Sequence, residues 1–66
     1  MLLKQIGETA GEIWSLLGEK GPLSLPALKR QVKAPPDVVL MALGWLARED
    51  KLEVERKGRV QLLRLK

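Results

Sequence analysis

Few side chains in this 66-residue sequence could carry out covalent chemistry, because histidine and cysteine are both absent. Histidine is the commonest general base, cysteine is a strong nucleophile, and both are usual ligands of protein-bound zinc. Ser15 and Ser24 have no basic partner close to them in the sequence. The segment GETAG, residues 7–11, has glycine spacing like that of a phosphate-binding loop but lacks the lysine and the preceding strand. The sequence therefore predicts a non-enzymatic protein with no metal site and no cofactor.

The remaining chemistry is ionic, since the net charge is +4 and the isoelectric point is near 9.9. Residues 51–66 hold six Lys and Arg against two Glu, whereas residues 34–50 hold one Arg against two Asp and one Glu. Exposed basic side chains can contact DNA phosphates without any preference for sequence. The candidate phosphate contacts are Lys29, Arg30, Lys33, Arg56, Lys57 and Arg59. A second interpretation stays open, in which these charges only keep an exposed strand from aggregating.

The segment VVLMALGWLARED, residues 38–50, has the pattern of a helix that is apolar on both sides. Side chains turn by about 100° per residue along a helix, which places Val39, Leu43 and Leu46 together on a core face. The opposite side carries further large apolar side chains, where the helix of a lone soluble domain would be polar. The residues assigned to this outer side are Asp37, Val38, Leu40, Met41, Gly44, Trp45 and Arg48.

Three explanations of this outer side are open. The first helix or the C-terminal hairpin could cover it within one chain, an apolar ligand could fill it, or a protein partner could bind it. Exposed apolar patches usually mark protein interfaces, and no polar groups converge here as they do around a small ligand. We therefore expect a homodimer interface built on the third helix, and no small-molecule ligand.

A twofold interface uses the same patch on both subunits, so the third helix should cross its twin in an antiparallel arrangement. Gly44 would allow the two backbones to approach closely, with Met41 and Trp45 packed at the centre. Arg48 of each copy would then meet Asp37 of the other copy.

The alternative function is a sequence-specific transcriptional regulator that uses the third helix as its recognition helix. Such a helix presents Arg, Asn, Gln, Ser or Lys side chains to base edges in the major groove. Here only Arg48 has that chemistry, and Asp37, Glu49 and Asp50 would be repelled by phosphates. Trp14, on the first helix, is interpreted as a core or rim residue, because no Phe or Tyr accompanies it to form a base-stacking platform.

Proline and glycine divide the sequence into the elements that must position these side chains. The first helix is indicated by apolar residues at helical spacing, which are Ile6, Ala10, Ile13 and Leu17. Gly18 and the following EKGP segment are expected to end it. Leu23 should lie in a short extended piece, and Ser24 should cap a second helix that has Pro26 in its first turn.

The second half of the sequence predicts two more helical boundaries and a hairpin. The second helix should bury Leu25, Leu28 and Val32. Pro36 fits the first position of a third helix that runs to about Glu49. The segments KLEVER and RVQLLRL, residues 51–56 and 59–65, predict strands joined by a turn at residues 57–58. The predicted fold class is α+β, mainly α: a winged helix-turn-helix with three helices, a short strand and a C-terminal β-hairpin wing.

Two segments carry a resemblance to a known family. The segment MALGWLAREDKLEVER, residues 41–56, is similar to the part of winged-helix regulators in which the third helix leads into the wing. IGETAGEIW and ALGWLARED, residues 6–14 and 42–50, together resemble a small bacterial family of winged helix-turn-helix domains of unknown function. The Gly44-Trp45 pair is the most specific mark. The resemblance implies the fold and a homodimer, and it implies no catalytic or ligand-binding residue.

The length of the sequence allows one domain, residues 1–66, with a small core. A chain of this size buries only about 60% of the surface of its unfolded state, so association with a partner would add needed stability. The N-terminal residues lack the apolar segment of a signal peptide, and no apolar run is long enough to span a membrane. We therefore expect a soluble cytoplasmic protein.

Overall fold

Helices and strands follow in the order α1, β1, α2, α3, β2, β3 in the computed structural model, which describes residues 2–66. Their bounds are α1 Leu2–Lys20, β1 Leu23–Ser24, α2 Leu25–Gln31, α3 Pro36–Arg48, β2 Leu52–Lys57 and β3 Val60–Leu65. The strands form an antiparallel sheet of three in the order β1-β3-β2. This arrangement confirms the predicted fold class.

Helix α1 supplies one wall of the core and is longer than the sequence pattern indicated. Ala10, Ile13 and Leu17 are buried on one face, as predicted. The helix ends inside the predicted segment of residues 18–22, at Lys20 and two residues beyond Gly18. The backbone turns into the left-handed region only at Gly21, where φ is 78° and the N–H donates to the carbonyl of Leu17 at 2.9 Å. Glycine adopts this conformation without the steric penalty that a Cβ would bring.

Helix α2 is short and is held at both ends by hydrogen bonds. At its start, the Ala27 N–H donates to Ser24 Oγ at 3.3 Å, which confirms Ser24 as the cap. Leu28 and Val32 are buried, and Leu25 is only half-buried. Beyond the helix, the Lys33 N–H donates to Glu12 Oε2 at 3.1 Å. These contacts connect α2 to α1 and fix where its basic side chains lie.

Helix α3 begins at Pro36, as predicted, and ends at Arg48, one residue before the expected boundary. Two backbone hydrogen bonds of 3.0 Å close its end, from the Asp50 N–H to the Ala47 carbonyl and from the Lys51 N–H to the Leu46 carbonyl. This pair of bonds forms a Schellman motif, which places the residue after the cap in the left-handed region. Asp50 occupies that position with φ of 59°.

Strands β2 and β3 form the predicted hairpin, with Gly58 in the left-handed region at its turn. Leu52 pairs with Leu65, and Val54 pairs with Leu63. Leu52, Leu63 and Leu65 are half-buried and pack against the helical core. The sheet therefore closes the core on one side and projects the hairpin turn into solvent.

All three helices contribute buried side chains to one hydrophobic cluster. Ile13 of α1, Leu28 of α2 and Val39 of α3 are its largest fully buried members. Because these residues occupy three different helices, the packing among them sets the direction in which each helix points its outer side.

Candidate functional site

The side of α3 that faces away from the core is largely apolar and exposed to solvent. Leu40, Met41 and Trp45 are exposed by 48%, 40% and 45%. Gly44 lies among them, and apart from the adjacent residues and the nearby backbone of α3 itself, no described atom lies within 4 Å of where its Cβ would be. Asp37 and Arg48 are exposed near the two ends of the helix. These residues are here called the α3 outer face: Asp37, Leu40, Met41, Gly44, Trp45 and Arg48.

Val38 does not belong to this face, so its assignment to the outer side was wrong. It is only 5% exposed. Val38 and Trp45 are seven residues apart and therefore lie along the same flank of the helix. Val38 is buried at the start of this flank, whereas Trp45, further along it, is exposed and lines a groove together with Ala10 and Trp14 of α1. The helical period gives a residue its direction on its own helix, but only the position of the neighbouring helix decides whether that direction is covered.

Cover from within the same chain, the first of the three explanations, therefore applies to Val38 alone. Met41, which the sequence places at the middle of the outer side, remains exposed, as do Leu40 and Trp45. The sequence predicted a patch of this kind, and the structure leaves it free of intramolecular cover. Whether another molecule covers it stays a prediction.

The charges at the ends of the α3 outer face are opposite and are not neutralised within the described chain. Asp37 Oδ1 accepts a hydrogen bond of 2.9 Å from the Val38 N–H, at the start of the helix. Within residues 2–66, neither Asp37 nor Arg48 takes part in an ion pair. An acid near the helix start and a base in its last turn both complement the helix dipole, so each charge also has a structural role.

A groove between α1 and α3 adjoins the α3 outer face. Its volume is about 340 Å³, and α1 contributes Gly7, Ala10, Gly11 and Trp14 to its lining. Trp45, Leu46, Glu49 and Lys51 line the other side. Trp14 is 50% exposed. It was expected to be a core or a rim residue, and it lies at the rim.

The groove was not predicted from the sequence, although part of its lining has a recognisable spacing. Gly7, Gly11 and Trp14 are spaced by four and three residues, which places them along one stripe of α1 beside Ala10. The spacing reveals the stripe. It does not reveal that Trp45 of another helix lies across from it.

The basic residues near the hairpin turn form a second candidate surface. Arg56, Lys57 and Arg59 are exposed, and within residues 2–66 none of them is part of an ion pair. Arg56 and Arg59 line a depression together with Ser24, Pro26 and Gln61. The hairpin turn therefore lies beside the first turn of α2.

Two other basic residues of the hairpin region differ, because each one is paired with an acid. Arg64 Nη2 lies 2.6 Å from Glu53 Oε2, and Lys66 Nζ lies 2.6 Å from Asp50 Oδ1. On α2, Lys29, Arg30 and Lys33 are exposed, as predicted. The unpaired positive charge is thus concentrated at the hairpin turn and on α2.

Comparison with known proteins places this architecture in a family. The sequence profile of a family described as "Winged helix-turn-helix domain (DUF2582)" matches residues 1–65. The chain belongs to this family. In this winged helix-turn-helix domain, helices α2 and α3 form the helix-turn-helix, and the β2–β3 hairpin forms the wing.

Two individual proteins are similar to this winged helix-turn-helix domain. The uncharacterized protein MJ1608 of Methanocaldococcus jannaschii is 42% identical over 64 residues, which cover 94% of this chain and 91% of that protein. The solution NMR structure of protein BT2368 from Bacteroides thetaiotaomicron has a TM-score of 0.82 and 37% sequence identity. The match covers 98% of this chain and 79% of the other. Since one relative is archaeal, the expectation of a bacterial family is not confirmed.

The helices were also compared with the requirements of a membrane span. Among residues 2–66, no helix is both long enough and apolar enough to cross a bilayer.

Proposed function

We propose that this winged helix-turn-helix protein is non-enzymatic, assembles as a homodimer through the α3 outer face, and contacts duplex DNA through its wing without sequence preference. The observation that carries the proposal is the exposure of Leu40, Met41 and Trp45 on the helix that would otherwise read bases. The fold is compatible with DNA contact, whereas the apolar side chains of this helix favour contact with a protein.

The exposed chemistry of α3 disfavours base reading. Specific recognition in the major groove depends on side chains that donate to or accept from base edges. Arg48 is the one basic side chain on the α3 outer face, and it lies in the last turn. Asp37, Glu49 and Asp50 are exposed at the helix ends and would repel DNA phosphates.

Several features favour a second copy of the chain as the partner. The face is apolar at its centre and carries opposite charges at its ends. An antiparallel twin would therefore bring Arg48 of each copy to Asp37 of the other. A standard interface of about 800 Å² per partner would take about a sixth of the 4705 Å² surface of the protomer.

Contact with DNA through the wing is supported by the distribution of unpaired charge. Lys57 and Arg59 flank the hairpin turn, and Arg56 lies beside the start of α2. Contacts of this kind neutralise phosphates and release counterions, and they carry no sequence information. We therefore expect weak binding that depends strongly on salt.

Sedimentation equilibrium over a wide range of protein concentration tests the homodimer directly. We expect wild type to reach the mass of a dimer, and Met41→Glu to remain monomeric while retaining its helical circular dichroism. Val60→Glu provides the control, because Val60 is also an exposed apolar residue but lies on the wing. A well-folded wild-type monomer at high micromolar concentration would overturn the proposal.

A further inference from the structure

We propose that α1 completes the dimer interface, so that the α1–α3 groove of one copy packs face to face on the same groove of the second copy. Trp14 as well as Trp45 is then buried on association. This inference rests on the proposed homodimer and extends its contact surface from one helix to two.

The groove has the composition of a packing surface that lacks its partner. Two tryptophans, one from α1 and one from α3, line the groove, and each is about half exposed. Buried tryptophans are enriched among the residues that dominate binding energy at protein interfaces. These are the two tryptophans of the sequence. The protomer therefore has both of its strongest candidate anchor residues in the same groove.

Gly7 and Gly11 of α1 have no evident steric role within the protomer. Apart from the adjacent residues and the nearby backbone of α1 itself, no described atom lies within 4 Å of the position that a Cβ would take at Gly7 or at Gly11. Glycine inside a helix is less stable than alanine, and these two positions have room for a larger side chain. A second molecule that approaches the backbone closely would account for glycine at both positions.

Symmetry brings the two grooves together once the α3 helices pack antiparallel. A twofold axis that lies in the interface and runs across α3 reverses the helix direction but keeps each flank on its own side. The flank of α3 next to α1 in one copy therefore faces the corresponding flank of the other copy, and α1 faces α1. The axis crosses α3 between Met41 and Gly44, within about one turn of Trp45.

Size and charge also favour a copy of this chain as the occupant of the groove. A standard interface takes about 20–30 residues from each side, and the α3 outer face alone offers far fewer. The charged residues that line the groove are Glu49 and Lys51. Because they are opposite in sign and unpaired within residues 2–66, the groove can meet its own copy without net repulsion.

Single-tryptophan variants measure the burial of each indole separately. Trp45→Phe leaves Trp14 as the reporter, and Trp14→Phe leaves Trp45. Acrylamide quenching and the emission maximum are recorded across the concentration range in which sedimentation detects association. We expect both reporters to shift to shorter wavelength and to lose accessibility to the quencher together with dimer formation.

The outcomes separate this inference from the function on which it rests. Protection of Trp45 alone in a stable dimer would overturn the packing of α1 and leave the α3 homodimer intact. Absence of association, with both reporters accessible at every concentration, would overturn the homodimer itself. Protection of Trp14 in a monomer, by an added apolar ligand or peptide, would also contradict the inference.

A second variant covers the case in which a tryptophan replacement weakens the dimer. Gly11→Leu adds a side chain to the floor of the groove, where the protomer leaves space for it. We expect the dimer dissociation constant to rise roughly tenfold or more, while helical circular dichroism is retained. Gln5→Leu is the matched control, since Gln5 is an exposed α1 residue outside the groove lining. Equal dissociation constants for Gly11→Leu and Gln5→Leu would overturn the inference.

Discussion

Lys66 Nζ donates a hydrogen bond of 2.6 Å to Asp50 Oδ1, which connects the end of β3 to the C-terminal turn of α3. Lys66 N–H also donates to the Lys51 carbonyl at 3.0 Å. One backbone hydrogen bond and one side-chain hydrogen bond therefore connect the end of the wing to the segment that follows α3. Each contact lies next to the Schellman turn that ends the helix.

The pair predicts a pH dependence at alkaline pH. The hydrogen bond and the negative charge of Asp50 raise the pKa of Lys66 above its ordinary value of 10.5. A raised pKa means that the stabilisation is complete below pH 10.5 and is lost as the pH rises through the pKa of the folded state. We expect a small loss of unfolding free energy in this range, because the pair is exposed. Denaturant titrations of wild type and of Lys66→Met should differ below this range and converge above it.

Asp50→Asn separates the charge of this residue from its backbone conformation. Asparagine tolerates the left-handed region about as well as aspartate does, so this variant should lose the alkaline dependence and keep the fold. Asp50→Ala should be less stable than Asp50→Asn, because a Cβ without a local hydrogen-bonding group is disfavoured at the φ of 59°. Equal stability of the two variants would contradict the role assigned to the backbone.

Val38 and Met41 should respond differently to truncation, because one is buried and the other is exposed. Val38→Ala is expected to lower the unfolding free energy of the protomer by about 2 kcal/mol. Met41→Ala should change it by less than about 0.5 kcal/mol and should weaken association instead. Denaturant unfolding at high dilution, combined with sedimentation, distinguishes the two effects. A fully folded Val38→Ala protomer with weakened association would return Val38 to the interface.

Trp45→Ala should weaken the dimer strongly. An aromatic anchor at the centre of an interface typically contributes about 2 kcal/mol or more, which corresponds to about a 30-fold rise in the dissociation constant. Folding and association are linked when only the folded chain associates, so the variant should melt at a lower temperature than wild type, and its melting temperature should rise less steeply with protein concentration. Val54→Ala, at an exposed apolar position of β2, should leave the dissociation constant unchanged.

The charges at the ends of the α3 outer face allow a test of the helix direction in the dimer. Asp37→Arg and Arg48→Asp should each weaken association, because each places like charges together in an antiparallel pair. The double variant restores opposite charges and should recover an exposed coupling of about 0.2–1 kcal/mol. High salt should diminish the difference. Additive losses in the double variant would contradict the antiparallel arrangement.

Binding of DNA by the wing predicts a specific response to salt. Lys57→Ala and Arg59→Ala should each reduce the slope of log affinity against log salt by about one. Arg64→Ala is the control, because Arg64 is paired with Glu53 and should alter the slope little. Fluorescence anisotropy with several unrelated duplexes gives both the slope and the sequence preference. A sequence-selective complex that survives the first two substitutions and depends on Arg48 would favour the recognition-helix alternative.

Much of the fold could be predicted from the sequence because its determinants are local. Pro36 begins α3 since proline fits the first helical position, and Ser24 caps α2 through its own side chain. The strands of the wing follow from the alternation of residues around Gly58. The end of α1 could be predicted only to within the segment of residues 18–22, because Gly18 tolerates a helix interior and it is Gly21 that adopts a positive φ.

The sequence alone determined that α3 carries more apolar side chains than one core face can cover, and that it lacks the polar groups needed to read bases. Both properties depend only on residue type and helical period. The tertiary structure decided which of those side chains are covered, since Val38 is buried whereas Met41 and Trp45 remain exposed to solvent. It also placed Trp14 across a groove from Trp45. A contact between residues so far apart in the chain depends on how two helices pack, and the period of either helix contains no information about it.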